Sequence, residues 1–106
     1  MSPEPVVTVT RYEVSCLPEE HRDRRSFSMS VAYRGGEKWC VTDTFECYDL
    51  DGHPSFEGRA SCRDDAWSAR HWFDLVTALA LANRLAPAMR VNGQSVADVL
   101  ARGGGQ

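Results

Sequence analysis

Between Ser26 and Arg34 apolar and polar residues alternate, and two glycines follow at once. Phe27, Met29, Val31 and Tyr33 fall on one side of an extended chain; Ser26, Ser28, Ser30 and Arg34, with the small Ala32, fall on the other. A period of two is the signature of a strand with unlike faces. Gly35-Gly36 turns the chain, and Trp39, Val41, Phe45 and Cys47 resume the pattern. Such a chain is committed to an antiparallel sheet with one apolar face, which must be covered, and one polar face.

The pattern also dictates a register, because residues opposite each other in an antiparallel pair share a face. A two-residue loop at Gly35-Gly36 sets Tyr33 against Lys38 and leaves Trp39 and Val41 on the polar side. A three-residue connection with a bulge pairs Tyr33 with Trp39, Val31 with Val41 and Phe27 with Phe45, all apolar. A two-residue turn at Asp51-Gly52 then pairs Leu50 with His53 and Cys47 with Phe56. In this register Asp43 falls on the apolar face, so either the strand bends there or the carboxylate is buried with a partner.

Val6–Val14, rich in Val, Thr and Tyr, reads as the first strand. Leu17–Arg25 reads as a charged loop, Ser26–Arg34 as the second strand, about Lys38–Leu50 as the third and Phe56–Cys62 as the fourth. Arg63–Phe73 fits a helix capped by Asp64 or Asp65, or an irregular stretch leading into a fifth strand near Phe73; the second reading is preferred. Asp74 is an N-cap, and Leu75, Ala78, Leu79, Ala82 and Leu85 recur at helical spacing until Pro87, predicting a helix over 75–86. Asn92-Gly93 turns a short extended piece, and Ser95 caps a last helix over 96–101. The expected fold is α+β: an antiparallel meander of four to five strands, one face covered by helix 75–86, plus a short C-terminal helix. The 106 residues suit one domain, with 1–5 and 103–106 as flexible ends.

The net charge of −3 argues against a generic nucleic-acid binder. No apolar stretch reaches the roughly 18 residues of a membrane span, and Met1–Pro5 has no secretory-signal character. A reducing cytoplasmic setting with thiols is the expectation for Cys16, Cys40, Cys47 and Cys62.

No constellation carries chemistry. Cys40 and Cys47, seven apart on one strand, are expected on opposite faces, and no C-x-x-C or H-x-x-x-H spacing occurs, so no metal and no cofactor is expected. Asp49-Leu50-Asp51-Gly52-His53 has the start of a calcium loop without its closing glutamate and is read as a turn. Ser61 or Cys62 with His53 or His71 lacks any nucleophile signature; the chain is expected not to be an enzyme. Arg22, Arg24 and Arg25 with the aromatics would suit single-stranded nucleic acid, although Glu19, Glu20 and Asp23 interleave with them. Trp67 and Trp72 cannot share a face of one strand, so one is expected at the surface. Tyr48 and Leu50 are expected on the polar face. Exposed Trp and Tyr favour protein interfaces.

Thr10-Arg11-Tyr12-Glu13-Val14-Ser15-Cys16-Leu17-Pro18, the Tyr33-Arg34-Gly35-Gly36 turn and Val91-Asn92-Gly93-Gln94-Ser95-Val96-Ala97-Asp98-Val99-Leu100 resemble small proteins of actinobacteria and their bacteriophages. That group brings no assigned activity. The resemblance implies a cytoplasmic accessory protein, phage-encoded, that binds a host component. The expected function is protein binding through an aromatic patch (Tyr48, Leu50, Trp67, Trp72) or a sheet edge, with a host protein or a second copy as partner. The alternative is single-stranded nucleic-acid binding through Arg22, Arg24, Arg25 and exposed aromatics.

Overall fold

The computed structural model describes residues 3–43, 46–56 and 65–103. The chain is α+β, as its periodicities predict. Five strands follow one another in space in chain order: β1 (Arg11–Ser15), β2 (Ser28–Gly35), β3 (Lys38–Thr42), β4 (Glu46–Tyr48) and β5 (Pro54–Phe56), all antiparallel. A short helix α1 (Asp65–His71) leads into β6 (Trp72–Phe73), which pairs with β3 beside β4. The main helix α2 (Leu75–Leu85) follows and closes with a single 3-10 turn over Ala86–Ala88. A hairpin, β7 (Arg90–Val91) and β8 (Gln94–Ser95), leads into helix α3 (Val96–Gly103).

The β2–β3 register is the one the alternation dictates: Val31 faces Val41 and Tyr33 faces Trp39. The turn differs in detail. The bulge lies between Tyr33 and Gly35, and the two turn residues are Gly36 (φ 59°) and Glu37 (φ 60°). Positive φ at both positions is the mirror-image turn that matches strand twist.

Asp43 is where the reading of one long third strand fails. The chain reverses there, and Thr42 pairs with Cys47 across a tight hairpin. Asp43 Oδ1 accepts from the Glu46 amide at 3.2 Å, and Asp43 N donates to the Glu46 carbonyl at 3.3 Å. A side chain that satisfies backbone donors two or three residues on favours a turn over a strand. The predicted Phe27–Phe45 pair lies outside the described residues.

The next hairpin is off by one from the prediction. Glu46 faces Phe56, Cys47 faces Ser55 and Tyr48 faces Pro54. The Asp49 amide donates to the His53 carbonyl at 3.1 Å, so the loop holds three residues, ending on Gly52 at φ 82°. An Asp-Gly pair serves both a two-residue mirror turn and this three-residue loop with a left-handed glycine. The predicted continuation to Cys62 lies outside the described residues.

These two reversals redistribute the faces. On the first face Met29, Val31, Trp39, Val41 and Phe73 pack against Ala78, Leu81 and Ala82 of α2. Asp74 caps that helix, its Oδ1 accepting from the Thr77 amide at 2.8 Å. Tyr48, expected on the polar face, joins this side, whereas Cys47 goes to the other. Cys40 and Cys47, expected on opposite faces, therefore share one cluster with Ala32.

That second face is not simply polar. Trp67 from α1 and Trp72 from β6 cover Ala32, Cys40 and Cys47. A third cluster joins Leu17 and Phe27 to Val96 and Val99 of α3. There Ser95 Oγ accepts from the Asp98 amide at 3.1 Å while Asp98 Oδ2 accepts from the Ser95 amide at 3.0 Å, a reciprocal cap.

Candidate functional site

The residues singled out from the sequence do not assemble into one patch. Trp67 and Trp72 are both half-buried, because α1 places Trp67 on a helix and removes the strand parity on which the expectation rested. Their rings meet edge to face at 6.4 Å, Trp67 stacks on His71 at 4.3 Å, and Trp67 Nε1 donates to Ser55 Oγ at 3.1 Å. His71 Nδ1 lies 2.8 Å from the Trp67 carbonyl and the ring is buried. The Ser55 bond and the Trp72 contact fasten α1 to the sheet, while the His71 contacts lie within the helix.

Tyr48 lines a cleft of about 270 Å³ with Met29, Asp43, Leu85 and Met89. Its hydroxyl donates to Asp43 Oδ2 at 2.7 Å. Burial, reinforced by the Asp43 carboxylate, pushes this phenol well above its ordinary range. Tyr48 therefore stays protonated and acts as a donor. Leu50 is exposed, and its carbonyl accepts from Arg84.

In the charged loop Arg24 is half-buried: Nη1 donates to the Leu17 carbonyl at 2.6 Å, and Nε meets Glu13 Oε2 at 3.1 Å. Arg22 and Arg25 are exposed. Arg25 borders an open polar hollow with Arg11, Glu13, Ser28 and Ser30. Cys16 is a free, exposed thiol; Cys62 lies outside the described residues.

Among the described residues, Asp49, Asp51 and His53 bring possible ligand atoms within 4.8 Å of one another. Asp49 Oδ1 already accepts from the Asp51 and His53 amides, both at 2.9 Å. The His53 amide is the main reason its carboxyl is held below the usual range. Both bonds belong to the turn, and the triad needs no ion to explain it.

A run of exposed apolar residues lies elsewhere, at the N-terminal arm. Residues 3–10 form no helix or strand, and Val6, Val7 and Val9 are 86%, 97% and 57% exposed. Sequence reading extends the first strand back to Val6; the structure starts it at Arg11. The reason is the neighbour: the Tyr33 amide donates to the Thr10 carbonyl at 2.9 Å, and beyond Tyr33 strand β2 bulges and turns. Among the described residues the arm pairs with no strand.

The arm borders an open groove of about 530 Å³ lined by Thr8, Val9, Tyr33, Glu37, Trp39, Asp74 and Leu75. Trp39 anchors it, with Tyr12 and Tyr33 rings at 5.6 and 5.0 Å. Tyr33 is 37% exposed, and Val76, on the first turn of α2, is 79% exposed. The alternation assigns Tyr33 and Trp39 to the core; their place beside the turn, at the last rung of the ladder, is the signal that marks them as a rim.

No family model, curated protein or solved structure matches the chain. Among the described residues, no helix is long and apolar enough to cross a membrane.

Proposed function

We propose that this chain is a small non-enzymatic interaction protein that binds another protein through its arm-bearing side, the exposed valines and the Tyr33 groove. The exposure of Val6, Val7 and Val9 beside that groove carries the reading. Apolar area removed from water stabilises by about 25 cal/mol per Å², and an aromatic rim beside β-branched side chains is the composition that interface centres favour. Pro3 and Pro5 bias the arm toward extended geometry, which lowers the entropy lost when it docks. In this reading the chain acts in the cytoplasm on a host protein, as the resemblance to actinobacterial and phage proteins implies, with a copy of itself as the other partner the sheet edge would suit.

The test is capture from a host-like lysate by wild type and by Val7→Ser/Val9→Ser and Tyr33→Ser variants. The expected result is a retained protein, insensitive to salt, that both variants lose. Retention unaffected by either variant overturns the reading. Retention of single-stranded oligonucleotide that falls steeply with salt and depends on Arg22 and Arg25 would replace it with nucleic-acid binding.

A further inference from the structure

We propose that strand β1 docks a second copy of this chain, antiparallel and centred on Tyr12, so that Arg11 of each copy faces Glu13 of the other. The inference rests on the reading that the arm-bearing side binds protein, and it names the partner and the register.

Backbone geometry supplies the first argument. Among the described residues β1 stands at one end of the sheet, paired with β2 alone. The bond from the Tyr33 amide to the Thr10 carbonyl fixes which residues turn inward. Hydrogen-bonded pairs alternate along an antiparallel ladder. Thr10, Tyr12 and Val14 therefore direct their amides and carbonyls at β2, and Arg11, Glu13 and Ser15 direct theirs outward. Two such edges can join only with odd residues opposite odd residues.

Charge then selects among the allowed registers. Centring on Arg11 sets arginine against arginine, and centring on Glu13 sets glutamate against glutamate. Centring on Tyr12 sets Arg11 against Glu13 twice and places Val9 opposite Ser15 of the second copy. Opposite charges facing across a sheet stabilise it, and like charges oppose it. Both side chains are exposed, and Arg24 holds the Glu13 carboxylate beside the edge.

The sequence supplies a third argument. From Val6 to Ser15 the chain has no glycine or proline and six β-branched residues, a composition suited to a strand. Among the described residues its first half pairs with no strand, since β2 bulges and turns just past Tyr33. A second copy's β1 gives Val9 and Thr10 a partner strand, and the exposed valines then continue a paired strand (β-strand addition).

The test is light scattering coupled to size exclusion on charge-swapped variants. Wild type is expected to be a dimer. Arg11→Glu alone and Glu13→Arg alone are expected to dissociate roughly tenfold more readily or worse. Mixing these two is expected to restore a one-to-one dimer, since every facing pair is again opposite in charge; the double swap Arg11→Glu/Glu13→Arg is expected to restore the homodimer. Amide exchange provides an independent readout: slowing at Arg11 and Glu13 that grows with protein concentration.

A wild type monomeric at about 100 µM overturns the proposal, as does a dimer whose mixed variants fail to reassociate. A monomer that still captures another protein through Val7 and Val9 removes self-pairing and leaves the broader reading standing. A charge-dependent dimer that captures nothing else does the reverse.

Discussion

The two faces of the sheet are closed by opposite arrangements of size. On the first face the sheet supplies the bulk (Met29, Val31, Trp39, Val41, Phe73) and α2 presents buried Ala78 and Ala82, which let the helix approach closely. On the second face the central strands supply the small side chains Ala32, Cys40 and Cys47, and the bulk comes from Trp67 of α1 and Trp72 of the short strand β6. Large against small fills space in both cases. The difference is that α2 is an eleven-residue capped helix, whereas α1 has seven residues tied to the sheet through the Trp67 indole, which donates to Ser55 and meets the Trp72 ring edge to face. A hydrophobic pattern reveals the first kind of face because its bulk lies in the strand. It conceals the second, where an alanine and two cysteines read as the polar side.

This contrast can be broken at its strongest point. Val31 is fully buried beneath α2, and Val31→Lys is expected to cost more than about 4 kcal/mol; a urea titration followed by circular dichroism should show no cooperative transition. Next comes Trp67→Ala. Removing a half-buried indole should cost about 2–3 kcal/mol. It should also expose the thiols beneath it. Peptide-resolved alkylation is expected to show Cys40 and Cys47 slow in wild type and fast in the variant, with α2 amides still protected from exchange. Unchanged thiol reactivity would mean that α1 does not seal that face.

A smaller effect concerns the cap of α2. The Thr77 amide is the main cause that holds the Asp74 carboxyl below its ordinary value of 3.8. A carboxyl depressed in the folded state stabilises it above the unfolded value, and that contribution is lost as pH falls through the folded one. Thermal melts should therefore be flat above about pH 5 and decline below pH 4, and Asp74→Asn should flatten part of that decline. Smallest of all, Ser30→Lys on the open part of the second face is expected to stay within about 0.5 kcal/mol of wild type. A large loss there would show that this half, too, is covered.

What was legible followed from how much each segment says locally. Tyr33–Trp39 and Val31–Val41 could be paired because only one register keeps four large side chains together. The helix over 75–86 could be placed because its cap, stripe and stop agree. Asp43 announced a break, but not that the strand would double back, since a bend and a reversal make the same demand on one carboxylate. That ambiguity moved Tyr48 and Cys47 to faces opposite those expected. Seven residues of α1 are too few to show a period, which hid the roles of Trp67 and Trp72. The arm reads as strand because its composition asks for one; whether a partner exists is a property of β2, about twenty to thirty residues further along the chain.

The spatial succession of β1 to β5 repeats their order along the chain. Every rung of that meander joins neighbours in the chain, so each closure costs modest chain entropy, the longest being the connection from Ser15 to Ser28. Proteins dominated by such nearby contacts cross their folding barrier fast. During synthesis each hairpin can zip as it leaves the ribosome, while three steps have to wait: β6 reaching back to β3, α2 settling over the finished ladder, and α3 closing on Leu17 and Phe27.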